Sequence, residues 1–329
     1  MKNKIIIITG SNSGIGKAAS TRFASEGCQV IMACRNSKKS RNAHTEVIKS
    51  SKNETVELME LDVSSFISIR KFCSEFKLKY QKLDVLIHNA GYFNHGIKSY
   101  QFSADNIELT FATNVFGPYL LTELLKNHLT RSNEPRVLSA NSTNIKHFFD
   151  PKRKIEFDNL QGEFKDSRAY NSYKMYGDSK MGLLLLTYKM AEMYKPYKIK
   201  LNSIMIPAVK VSRESLNKFN LYYRILGLII QNINPYSLSP DHMADIYFQI
   251  CTSDKFNKAT GSLINSDLEI IPPPENTQSI NILDLFKELW NTKHTPAYAS
   301  NPQHIHTMWE VCEKVVSKAD NKTRKSNAP

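Results

Sequence analysis

From Ile5 to about Asn141 the chain alternates short aliphatic runs with longer amphipathic segments. This pattern predicts an α/β fold, a doubly wound and mostly parallel sheet of seven strands with helices on both faces. Two further observations point the same way. The aliphatic runs are apolar almost throughout, as strands covered on both faces must be, and a glycine-rich turn links the first run to a helical segment.

The first strand is Ile5 to Thr9, and Gly10 after it begins the turn. Strands follow at Gln29 to Ala33, Val56 to Leu61, Val85 to His88 and Arg136 to Ala140, with two more at Lys198 to Met205 and Gly261 to Asn265. The amphipathic stretches Ile15 to Ser25, Lys39 to Ser50, Ser68 to Lys79, Ala104 to Leu129 and Tyr176 to Met193 are the helices between them. No repeat or linker divides this series, so residues 1–316 form one domain. Residues 207–236 stand outside the pattern and end in an apolar, tyrosine-rich patch, which suits a lid over a substrate. Residues 272–303 begin with three prolines and exceed an ordinary connection, so they read as an extra segment on the core. Residues 317–329 are polar and basic and read as a disordered tail.

The 329 residues carry a net charge of +13, which favours anionic partners. The basic residues are scattered and no nucleic-acid-binding motif is present, so nucleic acid is excluded as the partner. Five cysteines, Cys28, Cys34, Cys73, Cys251 and Cys312, form an odd set without metal-ligand spacing. That usage fits a reducing compartment, and the expected location is cytoplasmic. No stretch reaches the roughly 18 apolar residues of a spanning helix. The apolar run from Leu221 to Ile230 leaves a peripheral membrane contact open, while Ile5 to Ile8 leads straight into a glycine turn and reads as a strand rather than a signal or anchor.

The turn itself is Thr9-Gly10-Ser11-Asn12-Ser13-Gly14-Ile15-Gly16. After a strand and before a helix, such a turn predicts a Rossmann-type dinucleotide site: Gly10 for the bend, Gly14 for backbone approach to a pyrophosphate, Gly16 for helix–sheet packing. At the end of the second strand stands Arg35, with no acidic residue between Gly27 and Thr45. A guanidinium there suits the 2′-phosphate of NADP(H), where a carboxylate would hold the ribose of NAD. Asp62, beside Val63 at the end of the third strand, suits either the adenine amine or a helix cap.

Acid/base chemistry has two candidates, because Tyr170 with Lys174 and Tyr176 with Lys180 are both tyrosine–lysine pairs four residues apart. Either pair can share one face of a helix, where an ammonium can lower the pKa of a phenol. Spacing alone does not choose between them.

The glycine turn, Asn89-Ala90-Gly91 after the fourth strand, Asn114 inside a helix, Ser142 after the fifth strand and the pair Tyr176/Lys180 together resemble the short-chain dehydrogenase/reductase family over about residues 1–270. Ala33-Cys34-Arg35-Asn36, Asp158-Asn159-Leu160-Gln161-Gly162 and the long gap between Ser142 and Tyr176 resemble its retinol dehydrogenase and WW-domain oxidoreductase branch. The resemblance selects Tyr176/Lys180, because Ser179 precedes that lysine and a leucine-rich helix follows it. It implies that Tyr176 exchanges a proton with the reacting oxygen and that Ser142 hydrogen-bonds that oxygen. It also implies that Lys180 holds the nicotinamide ribose and depresses the tyrosine pKa, with Asn114 maintaining a proton path to the lysine. Asn89, Ala90, Gly91, Pro207, Val209 and Ser212 become cofactor contacts by the same route. The chain departs from the family at Ala208, where a glycine is usual. The implied function is an NADP(H)-dependent oxidoreductase acting on a lipophilic small molecule that is retinoid-, steroid- or xenobiotic-like. The alternative is a cofactor-binding interaction protein of the same fold with weak or no turnover. The helices at 104–129 and 176–193 are where relatives commonly dimerise, which implies a homodimer.

Overall fold

The computed structural model describes residues 2–94, 96–207, 209, 238–274 and 293–326, with side chains to residue 319. Most of the expected lid at 207–236, and residues 275–292 of the expected extra segment, lie outside this set.

Among the described residues the sheet has eight strands, one more than the sequence predicts. They are β1 (Ile5–Thr9), β2 (Gln29–Cys34), β3 (Glu57–Glu60), β4 (Val85–His88), β5 (Arg136–Ser142), β6 (Lys200–Ile206), β7 (Ser262–Ile264) and β8 (Ile270–Ile271). Their spatial order is β3-β2-β1-β4-β5-β6-β7-β8. All neighbours are parallel except β7 and β8, which pair through Leu263–Ile271 and Ile264–Ile270. Two residues carry too little periodicity to announce a strand, which is why β8 escapes a reading of the sequence.

The helices are α1 (Gly14–Ser25), α2 (Lys38–Ser51), α3 (Phe66–Lys79), α4 (Gly117–Leu129), α5 (Ser172–Tyr194), α6 (Pro240–Thr252) and α7 (Pro302–Ser326). Their starts are set locally. Ser37, Ser65, Asn171 and Ser239 each accept a backbone N–H three residues on, satisfying a donor the helix cannot. A helical turn at Leu109–Phe111 and a wide π turn at Ala112–Phe116 precede α4, where the sequence predicts one uninterrupted helix.

Alternation along β1 divides the core into two layers. Ile7 faces the layer beneath α3, α4, α5 and α7, whereas Ile6 and Ile8 face the layer beneath α1, α2 and α6. Each of these isoleucines is fully buried, a contribution of about 1.5–3 kcal/mol apiece. The chain beyond residue 317, expected as a disordered tail, instead continues α7 to Ser326. The reason lies upstream: Met308, Cys312, Val315 and Val316 recur at helical spacing and are buried, so the helix is anchored before its charged end. Helix α7 packs along α5, one of the helices on which a dimer face is expected.

No disulfide joins the five cysteines, all of which are buried. Among the described residues no helix is long and apolar enough to cross a membrane.

Candidate active site

Strand order reverses between β1 and β4, and the loops leaving their C-terminal ends diverge to open a cleft of about 410 Å³. Thr9 ties the two ends together: its Oγ1 accepts from the Asn89 and Ala90 amides at 3.0 and 2.9 Å. Asn89 Nδ2 donates to the Thr9 carbonyl at 3.0 Å, and Tyr247 of α6 donates to Asn89 Oδ1 at 3.3 Å. The cleft is lined by Gly10, Asn12, Ser13, Ile15, Arg35, Asp62, Val63, Asn89, Ala90 and Gly91 among others. Ser11 and Gly16 of the turn are buried behind it.

This lining suits a dinucleotide. Gly14 has φ +53° with open space where a Cβ would stand, so a ligand can approach its backbone. The N-cap Ser13 makes no side-chain capping bond and the first turn of α1 holds no acid, leaving the helix N-terminus available to an anion. Arg35 is exposed at the rim, and Ser40 Oγ bonds its carbonyl at 2.7 Å and receives Asn12 Nδ2 at 3.1 Å. Asp62 Oδ1 accepts from the amide and hydroxyl of Ser64 at 2.9 and 2.7 Å. It therefore caps its own turn while still facing the cleft, and Ser65 rather than Asp62 caps α3.

The four predicted chemical residues converge from three elements. Ser142 ends β5, Asn114 sits in the π turn, and Tyr176 and Lys180 lie one turn apart on α5. Tyr176 is half-buried and lies near Ser142, whose Oγ accepts from the Asn144 amide at 3.2 Å. Lys180 is 4% exposed and donates to the Ala140 carbonyl at 2.9 Å, with no carboxylate beside it among the described residues. Burial lowers its pKa from 10.5 to about 8. Its Nζ stands 5.6 Å from the Tyr176 ring centroid. Burial raises the Tyr176 pKa, and the neighbouring Ser142 hydroxyl works against that rise. Desolvation sets the direction at this phenol, and the Lys180 ammonium expected to depress it is turned to a carbonyl.

Asn114 is built into the backbone around it. Its Oδ1 accepts from the Tyr92 amide at 2.7 Å, and its Nδ2 donates to the Tyr92 carbonyl and to Ser179 Oγ at 3.1 and 2.9 Å. Gly91 joins the cleft to this cluster, since a Cβ there would lie 3.5 Å from Lys180 Nζ and 3.6 Å from Asn114 Oδ1. Pro207 is described, as is Val209, which bridges to Leu238; Ala208 and Ser212 lie outside the described residues.

Sequence reasoning missed Phe93. Its ring stacks on Tyr176 at 4.3 Å and 15°, and Tyr173 meets it edge-on at 5.3 Å. Its position two residues after Gly91 was the available signal, because that loop leaves the cleft toward the tyrosine. Tyr170, the rival tyrosine, donates to Glu108 Oε1 at 2.9 Å instead of facing Ser142.

The fold and the cleft at its switch point define an α/β protein of the dinucleotide-binding class. Residues 4–149 match the family model described as short chain dehydrogenase. The chain is 37% identical over 189 residues to retinol dehydrogenase 12 of Mus musculus, an alignment covering 57% of this chain and 56% of that protein. It is 32% identical over 206 residues to the WW domain-containing oxidoreductase of Gallus gallus, covering 62% of this chain and 48% of that one. The matched part therefore spans about half the length of these curated relatives. A short chain dehydrogenase of Shigella flexneri 2a, crystallised in complex with NADP, superposes with a TM-score of 0.60 at 18% identity, covering 81% of this chain and 98% of that one. Over residues 4–149 the chain is thus similar to the short-chain dehydrogenases, and retinol dehydrogenases are among the proteins it resembles.

Proposed function

We propose that this protein is an NADP(H)-dependent oxidoreductase that interconverts a carbonyl and an alcohol on a lipophilic small molecule of retinoid, steroid or xenobiotic type. The observation that carries the reading is the juxtaposition of Tyr176 and Ser142 beside the buried ammonium of Lys180, which has no carboxylate partner among the described residues.

The residues of the cleft would hold the cofactor: Gly10 to Gly16 the pyrophosphate, Arg35 a 2′-phosphate, Asp62 and Val63 the adenine, Asn89 to Gly91 and Lys180 the nicotinamide riboside. Pro207, Val209 and Ser212 complete the assignment on the nicotinamide side. When bound, the dihydronicotinamide supplies a hydride to the carbonyl carbon. Tyr176 gives its phenolic proton to the carbonyl oxygen, and Ser142 Oγ–H donates to the same oxygen as negative charge develops. A phenol whose pKa is raised stays protonated at neutral pH, which is the state a proton donor in reduction requires. Asn114 fixes the backbone of Tyr92 against α5 and so keeps the reacting groups in register. Phe93 and Tyr173 give the tyrosine an apolar, aromatic surround, in keeping with a lipophilic substrate.

The test is NADPH oxidation by purified protein with a panel of aldehydes, ketones, retinoids and steroids. Turnover by the wild type that Tyr176→Phe abolishes is the expected result. Cofactor binding without turnover on any substrate would overturn it.

A further inference from the structure

We infer that the C-terminal segment is a brace for the catalytic helix, with Met308 as its positioning residue; this rests on the oxidoreductase reading above. Helix α7 lies outside residues 4–149, the part that matches the family model. Its Met308 is fully buried and meets α5 at Gly182. A Cβ at residue 182 would lie 2.9 Å from Met308 Cε and 3.5 Å from Val115 Cγ2, so the missing side chain is what admits the thioether between α5 and the π turn. An unbranched, polarisable side chain suits such an irregular gap.

The two elements it presses on are those that carry the chemistry. Gly182 follows Ser179 by three residues and shares its side of α5, and Ser179 Oγ receives the Asn114 bond at 2.9 Å. Val115 adjoins Asn114 in the π turn. Asn114 Oδ1 and Lys180 Nζ converge on Gly91, so any slip of the π turn along α5 alters their separation. The same segment reaches the other side of the site. Tyr298 accepts the Ile155 amide at 3.1 Å and packs on Phe148 at 4.8 Å, in the turn that follows Ser142. His304 stacks on Tyr298 at 3.9 Å, and Trp309 meets Tyr119 of α4 edge-on at 5.3 Å. One segment thus holds Ser142 from one side and Asn114 with Lys180 from the other.

The experiment compares wild type, Met308→Ala and Met308→Leu by steady-state kinetics and by hydrogen exchange with mass spectrometry. Met308→Ala is expected to lower kcat about tenfold or more, with KM for NADPH unchanged, because a small misplacement of reacting groups is costly. Met308→Leu refills the space and restores kcat. Exchange rises in Met308→Ala across residues 112–119 and 172–186, while residues 5–60 exchange as in wild type. An unchanged kcat, or exchange that rises uniformly over the chain, overturns the inference. Should Met308→Ala fail to fold, Met308→Val makes a smaller space and is read in the same way. If the wild type shows no turnover, the oxidoreductase reading fails, and the exchange pattern still decides whether the brace acts on these two elements.

Discussion

Replacing Lys180 by methionine should make the protein more stable at neutral pH while removing its activity. The native state holds the Lys180 proton weakly, with a pKa of about 8 against 10.5 for a solvated lysine. That difference corresponds to about 3 kcal/mol of penalty for burying the ammonium. Between pH 8 and 10.5 the unfolded chain binds more protons than the native one, so stability rises with pH across this window. The penalty is in full force below pH 8 and is gone above 10.5. Methionine has nearly the same length and no charge, but it leaves the Ala140 carbonyl without its donor, a cost of about 1 kcal/mol. Lys180→Met should therefore exceed wild type by about 2 kcal/mol at pH 7, and the advantage should vanish or reverse near pH 10.5. Urea unfolding of both proteins at pH 7 and at pH 10 measures this, and taking the difference between them cancels the titration of groups they share. A stability difference that does not change between those two pH values would refute the reasoning.

Tyr176→Phe should reduce kcat by about 10²–10⁴ while leaving the Kd for NADPH within about twofold, as measured by rapid kinetics and calorimetry. Arg35→Ala should weaken NADPH binding by about 10–100-fold and leave NADH binding unaltered, the signature of a lost charge-assisted bond to phosphate; calorimetric titration with both cofactors checks it. Gly16→Ala should destabilise the fold by about 1–3 kcal/mol. Its Cβ would sit 2.4 Å from Asn89 Nδ2 and 2.5 Å from the Gly10 carbonyl oxygen, so thermal unfolding should show a lower Tm and NADPH should bind more weakly.

The sheet was largely legible because strands covered on both faces have to be apolar, and β1, β2 and β4 are little else. Edges drifted where charge intrudes, as at β3, whose ends are Glu57 and Glu60. Helix α6 begins Ser239-Pro240-Asp241, a cap and first turn that could have been read. Helix α7 was obscured by its basic end, although the apolar spacing from Met308 to Val316 was present. The π turn was not legible, because the width of a helical turn depends on what packs around it. In the site, the residues that bracket a chain turn announced themselves, whereas Phe93 and Met308 matter only through contacts between segments distant in sequence.

The two tyrosine–lysine pairs show where spacing stops and environment begins. Tyr170 donates to Glu108 Oε1 at 2.9 Å and lies 3.1 Å from Thr110 Oγ1, so its proton is committed to a buried carboxylate, and burial and that charge both raise its pKa. Lys174 is paired with Asp178 at 2.6 Å and Glu156 at 3.4 Å, which cancels its field. Tyr176 instead meets a hydroxyl that can be shared with a substrate oxygen, and Lys180 meets a neutral carbonyl. An ammonium without a carboxylate keeps its charge available to a bound ribose or a developing oxyanion, and the absence of that carboxylate is also why it is costly to bury. The same feature that should make Lys180 useful in reduction is the one whose removal should stabilise the fold, so stability and turnover are expected to move in opposite directions at residue 180, and the rival position 174, already ion-paired, should show no such exchange.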